Sequence, residues 1–179
     1  KIYLLFGAAK LTDERKGASF LKKACSYLQK RDYKRKNDIE ILLMGNASQE
    51  ILNYFPYKVH SLGYLSGDEN IVWAYRAADV FVIPSLEDNL PNTIMEAMAS
   101  GTPCVGFETG GIPEMIDHKI NGYLAKYKDA NDLALGIQWI LENSEALNLS
   151  EACVKKVKEN YEESVVAQKY ISLYKSLLS

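Results

Sequence analysis

Val80-Phe81-Val82-Ile83-Pro84-Ser85, then Leu86-Glu87-Asp88-Asn89-Leu90-Pro91-Asn92, then Thr93-Ile94-Met95-Glu96-Ala97-Met98-Ala99-Ser100-Gly101, then Thr102-Pro103-Cys104-Val105-Gly106-Phe107: residues 80–107 decide the fold. The first block is apolar and β-branched with no alternation, the pattern of a strand buried on both faces. A polar, turn-rich loop follows. The third block reads as a compact helix over 93–100, stopped by Gly101 in the position helices favour for a terminal glycine. The fourth is a second apolar strand over 103–107, with its proline at the start, where a missing N–H matters least. Strand, helix and strand in that order make a βαβ unit, and its crossover is right-handed.

The same alternation extends in both directions. Toward the N-terminus, strands are expected over 2–7, 39–45 and 57–63, each closed by glycine. Helices are expected over 17–30, 49–54 and 68–78; the first carries a stripe of Phe20, Leu21, Ala24, Cys25 and Leu28. Toward the C-terminus come a helical turn at 112–116, a strand over 122–127, and helices over 131–141 and 165–178. This predicts an α/β domain: a Rossmann-like parallel sheet of about six strands with helices on both faces and extra C-terminal helices. No repeat or low-complexity linker divides the chain, so residues 1–179 are expected to form a single domain. In such sheets ligands bind at the carboxyl ends of the strands. The informative loops are therefore those after Gly7, Gly45, Gly63, Ser85 and Phe107.

Composition narrows the function. Of 179 residues, 47% are hydrophobic and 25% charged, an ordinary balance for a globular domain. No apolar run approaches the roughly 18 residues of a membrane span. The chain opens on a strand-like run without an initiator methionine, so no secretory leader is expected, and a cut from a longer protein at a domain edge is. Cys25, Cys104 and Cys153 are odd in number and lack any CxxC pair, which points to reduced thiols and a cytoplasmic setting. His60 and His118 are the only histidines and neither sits near a Cys, Asp and Ser set, which argues against a His-based triad or metal centre. Residues 1–36 carry 11 Lys/Arg against 3 Asp/Glu, and the remainder 10 against 20. The basic segment reads either as a patch for an anionic substrate or membrane surface, or as a solvated helix face ending in a lysine-rich loop. Nucleic acid is not expected, because no aromatic-basic interleaving accompanies the charge.

Three loops carry the chemistry. After Ser85 the chain enters a helix near Asn92 or Thr93, whose first amides have no internal partner and are suited to a phosphate. Against that, Thr93-x-x-Glu96 has the spacing of a capping box, in which Glu96 turns back to the cap amide. After Gly7, Arg15 and Lys16 sit at a helix start, where cations oppose the dipole unless an anion, or Asp13 and Glu14, offsets them. This is not a P-loop, since the GxxxxGK[ST] spacing is absent. After Phe107, Gly110-Gly111 allows either a tight reversal or the close approach of another backbone or a ligand.

Taken together, the Gly7 strand end with Lys16-Gly17, Pro84-Ser85, Glu96-Ala97-Met98-Ala99-x-Gly101-x-Pro103, Thr109-Gly110-Gly111-x-x-Glu114 and Asn121-Gly122-Tyr123 resemble the C-terminal domain of family-4 retaining glycosyltransferases. The resemblance covers nearly the whole chain and implies one half of a GT-B fold, with the acceptor on a separate N-terminal domain missing here. It implies a nucleoside-diphosphate sugar as partner, no metal or other cofactor, and no nucleic acid. Acceptors would be glycans, lipids or others, in the cytoplasmic synthesis of cell-surface polysaccharide, with UDP or GDP donors and peripheral membrane contact of the full-length enzyme.

By resemblance, Glu96 bonds the ribose, the amides of Asn92 and Thr93 hold the diphosphate, and Lys16 neutralises it. The family's other acidic position falls on Asp88, one methylene shorter than the usual glutamate, with Glu87 next door as a substitute. The expected catalytic set is thus Lys16, Asp88 and Glu96. The binding set adds Gly7, Arg15, Gly17, Glu87, Asn89, Leu90, Pro91, Asn92 and Thr93, with Leu62, Gly63 and Tyr64 near the base. An arginine common after the first-strand glycine is replaced by Ala8, for which Arg15 or Lys10 would compensate. Two alternatives stay open: a nucleotide-sugar epimerase or hydrolase half-domain, and a non-catalytic binding module.

Overall fold

Runs of four to six residues, largely apolar except in the edge strand β3, build the sheet: β1 (Ile2–Gly7), β2 (Ile39–Met44), β3 (Val59–Gly63), β4 (Val80–Ile83), β5 (Cys104–Phe107) and β6 (Gly122–Ala125). In the computed structural model, which describes residues 1–7, 13–45 and 48–178, these strands are parallel and ordered β3-β2-β1-β4-β5-β6. Between them run α1 (Ala18–Lys30), α2 (Gln49–Leu52), α3 (Asp68–Arg76), α4 (Asn92–Ala99) and α5 (Ile112–Met115), followed by α6 (Ala130–Asn143), α7 (Leu149–Asn160) and α8 (Glu163–Leu178). This is the expected doubly covered parallel sheet with extra C-terminal helices.

Side chains alternate along each strand, so the two faces bury separate cores. Leu4, Phe6, Ile41, Leu43, Val80, Val82, Val105 and Phe107 pack with the stripes of α1 (Leu21, Ala24, Cys25, Leu28) and α6 (Leu133, Ala134, Ile137, Ile140). Leu5, Leu42, Phe81, Ile83 and Cys104 pack on the other face with Tyr75 of α3, Ile94, Ala97 and Met98 of α4, and Cys153 of α7. All three cysteines are buried and unpaired, and burial pushes the Cys25 and Cys153 thiols up to about 12.

Several boundaries differ from expectation by one or two residues, two of them for a visible reason. β4 ends at Ile83, because Pro84 has no N–H to continue the ladder. β3 starts at Val59, since Tyr57 is buried in the core ahead of the strand. α7 lacks any counterpart in the expected elements. α8 forms as expected, but its stripe lies uncovered: Tyr170, Leu173, Tyr174 and Leu177 are all exposed. No helix among the described residues is long and apolar enough to cross a membrane.

At the amino end of the sheet, Glu40 receives Lys1 Nζ at 3.0 Å and contacts His60 Nε2 at 2.5 Å. The His60 hydrogen bond first, and then that of Lys1, holds the Glu40 carboxyl down at about 2 against an ordinary 4.5. A carboxyl depressed in the folded state contributes stability that is complete above its unfolded value and lost as pH falls through its folded value. The stability gap between the wild type and Glu40→Gln is therefore expected to be constant above pH 4.5 and to close toward pH 2. Urea melts across that range measure it; a gap unchanged at the acid end would show that the cluster does not hold β3.

Candidate functional site

The strand order reverses between β1 and β4, and at that switch point the carboxyl ends of neighbouring strands part to leave a crevice. Beside it stands the start of α4. Its N-cap is Pro91, no side chain caps it, and its first turn contains no acidic residue. Ile94 N donates to Pro91 O, but the amides of Asn92 and Thr93 have no partner among the described residues. The capping-box expectation thus fails. Thr93 lies one residue inside the helix, and the Glu96 carboxylate is engaged elsewhere, accepting from Tyr75 Oη at 2.9 Å.

The two cations of the first loop part company. Arg15 folds back on Asp13, with its Nε and Nη2 donating at 3.0 and 2.8 Å, and is exposed. Asp13 thereby offsets Arg15, but Lys16 reaches across the crevice instead, with Nζ 3.1 Å from Asp88 Oδ2. Residues 72 apart in sequence are joined because glycines let three loops touch. Gly17 holds φ +70, and a Cβ there would lie 1.8 Å from Pro84 O. Gly110 and Gly111 bring the loop after β5 so close that added Cβ atoms would lie 1.8 Å from Asp88 O and 1.7 Å from Asn89 O. Leu86 N donates to Arg15 O at 2.8 Å, Thr109 Oγ1 to Leu86 O at 3.2 Å, and Gly111 N to Asp88 O at 3.2 Å. Of the two readings of Gly110-Gly111, the structure selects close approach of another backbone.

The crevice has a volume of about 350 Å³. Strand ends supply Phe6, Gly7, Met44, Gly45, Gly63, Ile83 and Ser85, while Tyr64, Leu65, Ile71 and Tyr75 form one side and Lys16, Asp88, Thr93 and Glu96 another. A larger cavity of about 520 Å³ lies between α1 and α2, floored by Phe20, Ile51, Tyr54, Phe55 and Leu86. Its lining bears Asp13, Glu14 and Glu50, three carboxylates with no cation among them; the crevice also holds two carboxylates, Asp88 and Glu96, but sets the Lys16 ammonium and the open amide of Thr93 beside them.

Of the sequence-expected residues, Gly7, Lys16, Gly63, Tyr64, Asp88, Thr93 and Glu96 meet at this crevice. Gly17 is buried behind it and Pro91 underpins the helix start. Glu87, Asn89, Leu90 and Asn92 are exposed and do not line it, so Asp88, and not Glu87, faces the space. Leu62 does not line the crevice; its side chain is partly buried against the second core. Among the described cations of residues 1–36, only Lys16 lines the crevice. Lys23, Lys30, Lys34 and Arg35 are exposed on α1 and the turn after it, a solvated face. Ala8 and Lys10 lie outside the described residues.

Comparison with known proteins decides the family. The glycosyl transferases group 1 family matches residues 1–143. The chain belongs to that family. A family relative, the N,N'-diacetylbacillosaminyl-diphospho-undecaprenol alpha-1,3-N-acetylgalactosaminyltransferase of Campylobacter jejuni, is 35% identical over 72% of this chain and 33% of its own length. A glycosyltransferase from Rickettsia africae superposes with a TM-score of 0.77 at 23% identity, over 100% of this chain and 48% of the other. HepE of Anabaena, solved in complex with UDP-glucose, gives 0.74 at 18% identity over 98% and 49%. The chain has the fold of one half of a GT-B glycosyltransferase. It thus spans about a third of that curated relative (33%) and about half of those solved chains (48% and 49%).

Sequence reasoning missed Phe6, Met44, Gly45, Leu65, Ile71, Tyr75, Ile83 and Ser85 as crevice residues. For Ser85 the signal was present, since it ends the fourth strand, but the charged loop beyond it is the louder feature. Tyr75 reads as an interior helix aromatic and gives no local sign of its partner.

Proposed function

We propose that this chain is the donor-binding half of a retaining glycosyltransferase and holds a nucleoside-diphosphate sugar in the crevice between β1 and β4. The juxtaposition of Lys16, Asp88, Thr93 and Glu96 around that crevice carries the reading. The diphosphate lies against the amides of Asn92 and Thr93 with the Lys16 ammonium beside it; Glu96 takes the ribose, Gly63 and Tyr64 flank the base, and Asp88 faces the sugar. Glycosyl transfer separates an anionic nucleoside diphosphate from an oxocarbenium-like sugar. Donors fixed where that charge develops lower the barrier, and the proposal calls for no metal ion. The acceptor, a glycan, lipid or similar molecule of cell-surface polysaccharide synthesis, sits on a separate N-terminal domain in the cytoplasm. Closure of the two domains keeps water from the sugar.

An epimerase or hydrolase on the same scaffold needs its own acid and base. His60 is tied to Glu40, His118 accepts from Leu124 N, and neither lines the crevice. That favours transfer. Calorimetric titration of the chain with UDP- and GDP-sugars tests the binding half of the proposal. One of the two is expected to bind below about 1 mM, roughly −4 kcal/mol; failure of both would remove the donor site.

A further inference from the structure

Tyr75 is fully buried on α3. Its ring packs edge-on against Phe81, with centroids 5.5 Å apart, and Thr102 Oγ1 donates to its backbone carbonyl at 2.8 Å. A phenol enclosed this way needs a partner for its hydroxyl. It reaches one across the crevice floor, donating to Glu96 Oε2 at 2.9 Å. Burial, with the Glu96 carboxylate adding to it, pushes the phenol well above its ordinary value, so it remains a donor throughout the neutral range. Glu96 differs in setting: it is exposed one turn into α4, and its Oε1 has no protein partner among the described residues.

We infer that Tyr75 is the positioning residue of Glu96, holding one carboxylate oxygen so that the other is presented to the ribose hydroxyls of a bound nucleoside diphosphate. The inference rests on the ribose-binding reading of Glu96 proposed above. An exposed glutamate has several rotatable side-chain bonds, and a ligand that orders them itself loses affinity. A rigid, buried donor behind the carboxylate removes that loss. Tyr75 suits the task because three elements fix it: its own helix, β4 through Phe81, and the Thr102 turn after α4.

Dissociation constants of the chain for UDP and GDP, each compared with its 2′,3′-dideoxy counterpart, test this. The wild type is expected to favour the ribonucleotide, and Glu96→Ala to erase that preference. Tyr75→Phe is expected to cut the ribo-to-dideoxy ratio on the order of five- to tenfold while leaving affinity for the dideoxy compound unchanged. In the Glu96→Ala background it adds nothing. Tyr75→4-aminophenylalanine, which keeps a donor at the same place, restores the ratio and serves also if Tyr75→Phe does not fold. A wild-type ratio in Tyr75→Phe, or equal loss for both nucleotides, overturns the positioning role while the Glu96 reading stands. A wild type without preference overturns the Glu96 reading and this inference with it.

Discussion

Gly17→Ala is expected to lower stability by about 3–5 kcal/mol and to open the crevice wall. Two costs combine. At φ +70 an L side chain crowds its own backbone, worth about 1–2 kcal/mol. The added Cβ also lies 1.8 Å from Pro84 O, a backbone atom that no rotamer change can move aside. Relief requires the loop after β4 to retreat, breaking the Leu86 N to Arg15 O hydrogen bond and carrying Asp88 away from Lys16. Gly63 is the control, because it holds φ +65 with no described atom within 4 Å of the place a methyl would take. Gly63→Ala isolates the backbone strain of a positive φ and is expected to cost only about 1–2 kcal/mol. Urea denaturation of both variants decides the matter: equal losses would mean that the contact between the two loops is not structural.

Lys16→Ala is expected to reduce transfer by the full-length enzyme by about 10²–10³ in kcat, and to weaken nucleoside-diphosphate binding as well. The variant removes the ammonium that lies against the leaving group in the proposed complex. It also leaves the Asp88 carboxylate, whose side chain is only 17% exposed, without its cation and facing the incoming phosphates. Repulsion thus adds to lost attraction. Adding Asp88→Asn to Lys16→Ala is expected to recover part of the nucleotide affinity, although Asp88→Asn alone weakens transfer. Lys16→Arg is a poor substitute, because a planar guanidinium does not occupy the space of a compact ammonium. Steady-state kinetics with nucleotide titration measures both halves, and a Lys16→Ala enzyme with unchanged kcat would exclude Lys16 from the reaction.

The order of strands and helices was legible because burial leaves a periodic mark. Residues 80–107 read as strand, loop, helix and strand, and the structure has β4, α4 and β5 there. α7 was not legible, since it buries only Leu149 and Cys153, with Val157 partly covered, a thin stripe at four-residue spacing among charged side chains. α8 forms where a helix is expected, yet its Tyr170, Leu173, Tyr174 and Leu177 stay exposed. Periodicity reports a helix with an apolar face and is silent about whether anything covers that face.

What the sequence determined by itself is therefore the class of fold, the sheet and its covering helices, and the loops in which the candidate site is found. Those properties sum many weak, local terms, and one misjudged residue changes little. The tertiary structure alone decided that Asp88 and not Glu87 faces the crevice, that Lys16 pairs with Asp88 while Arg15 stays with Asp13, and that Glu96 is held by Tyr75 instead of capping its own helix. The last of those outcomes turns on the packing of α3 beside α4, the first two on small separations between distant loops. Close packing at Gly17, Gly110 and Gly111 sets those separations, and no periodicity along the chain encodes them.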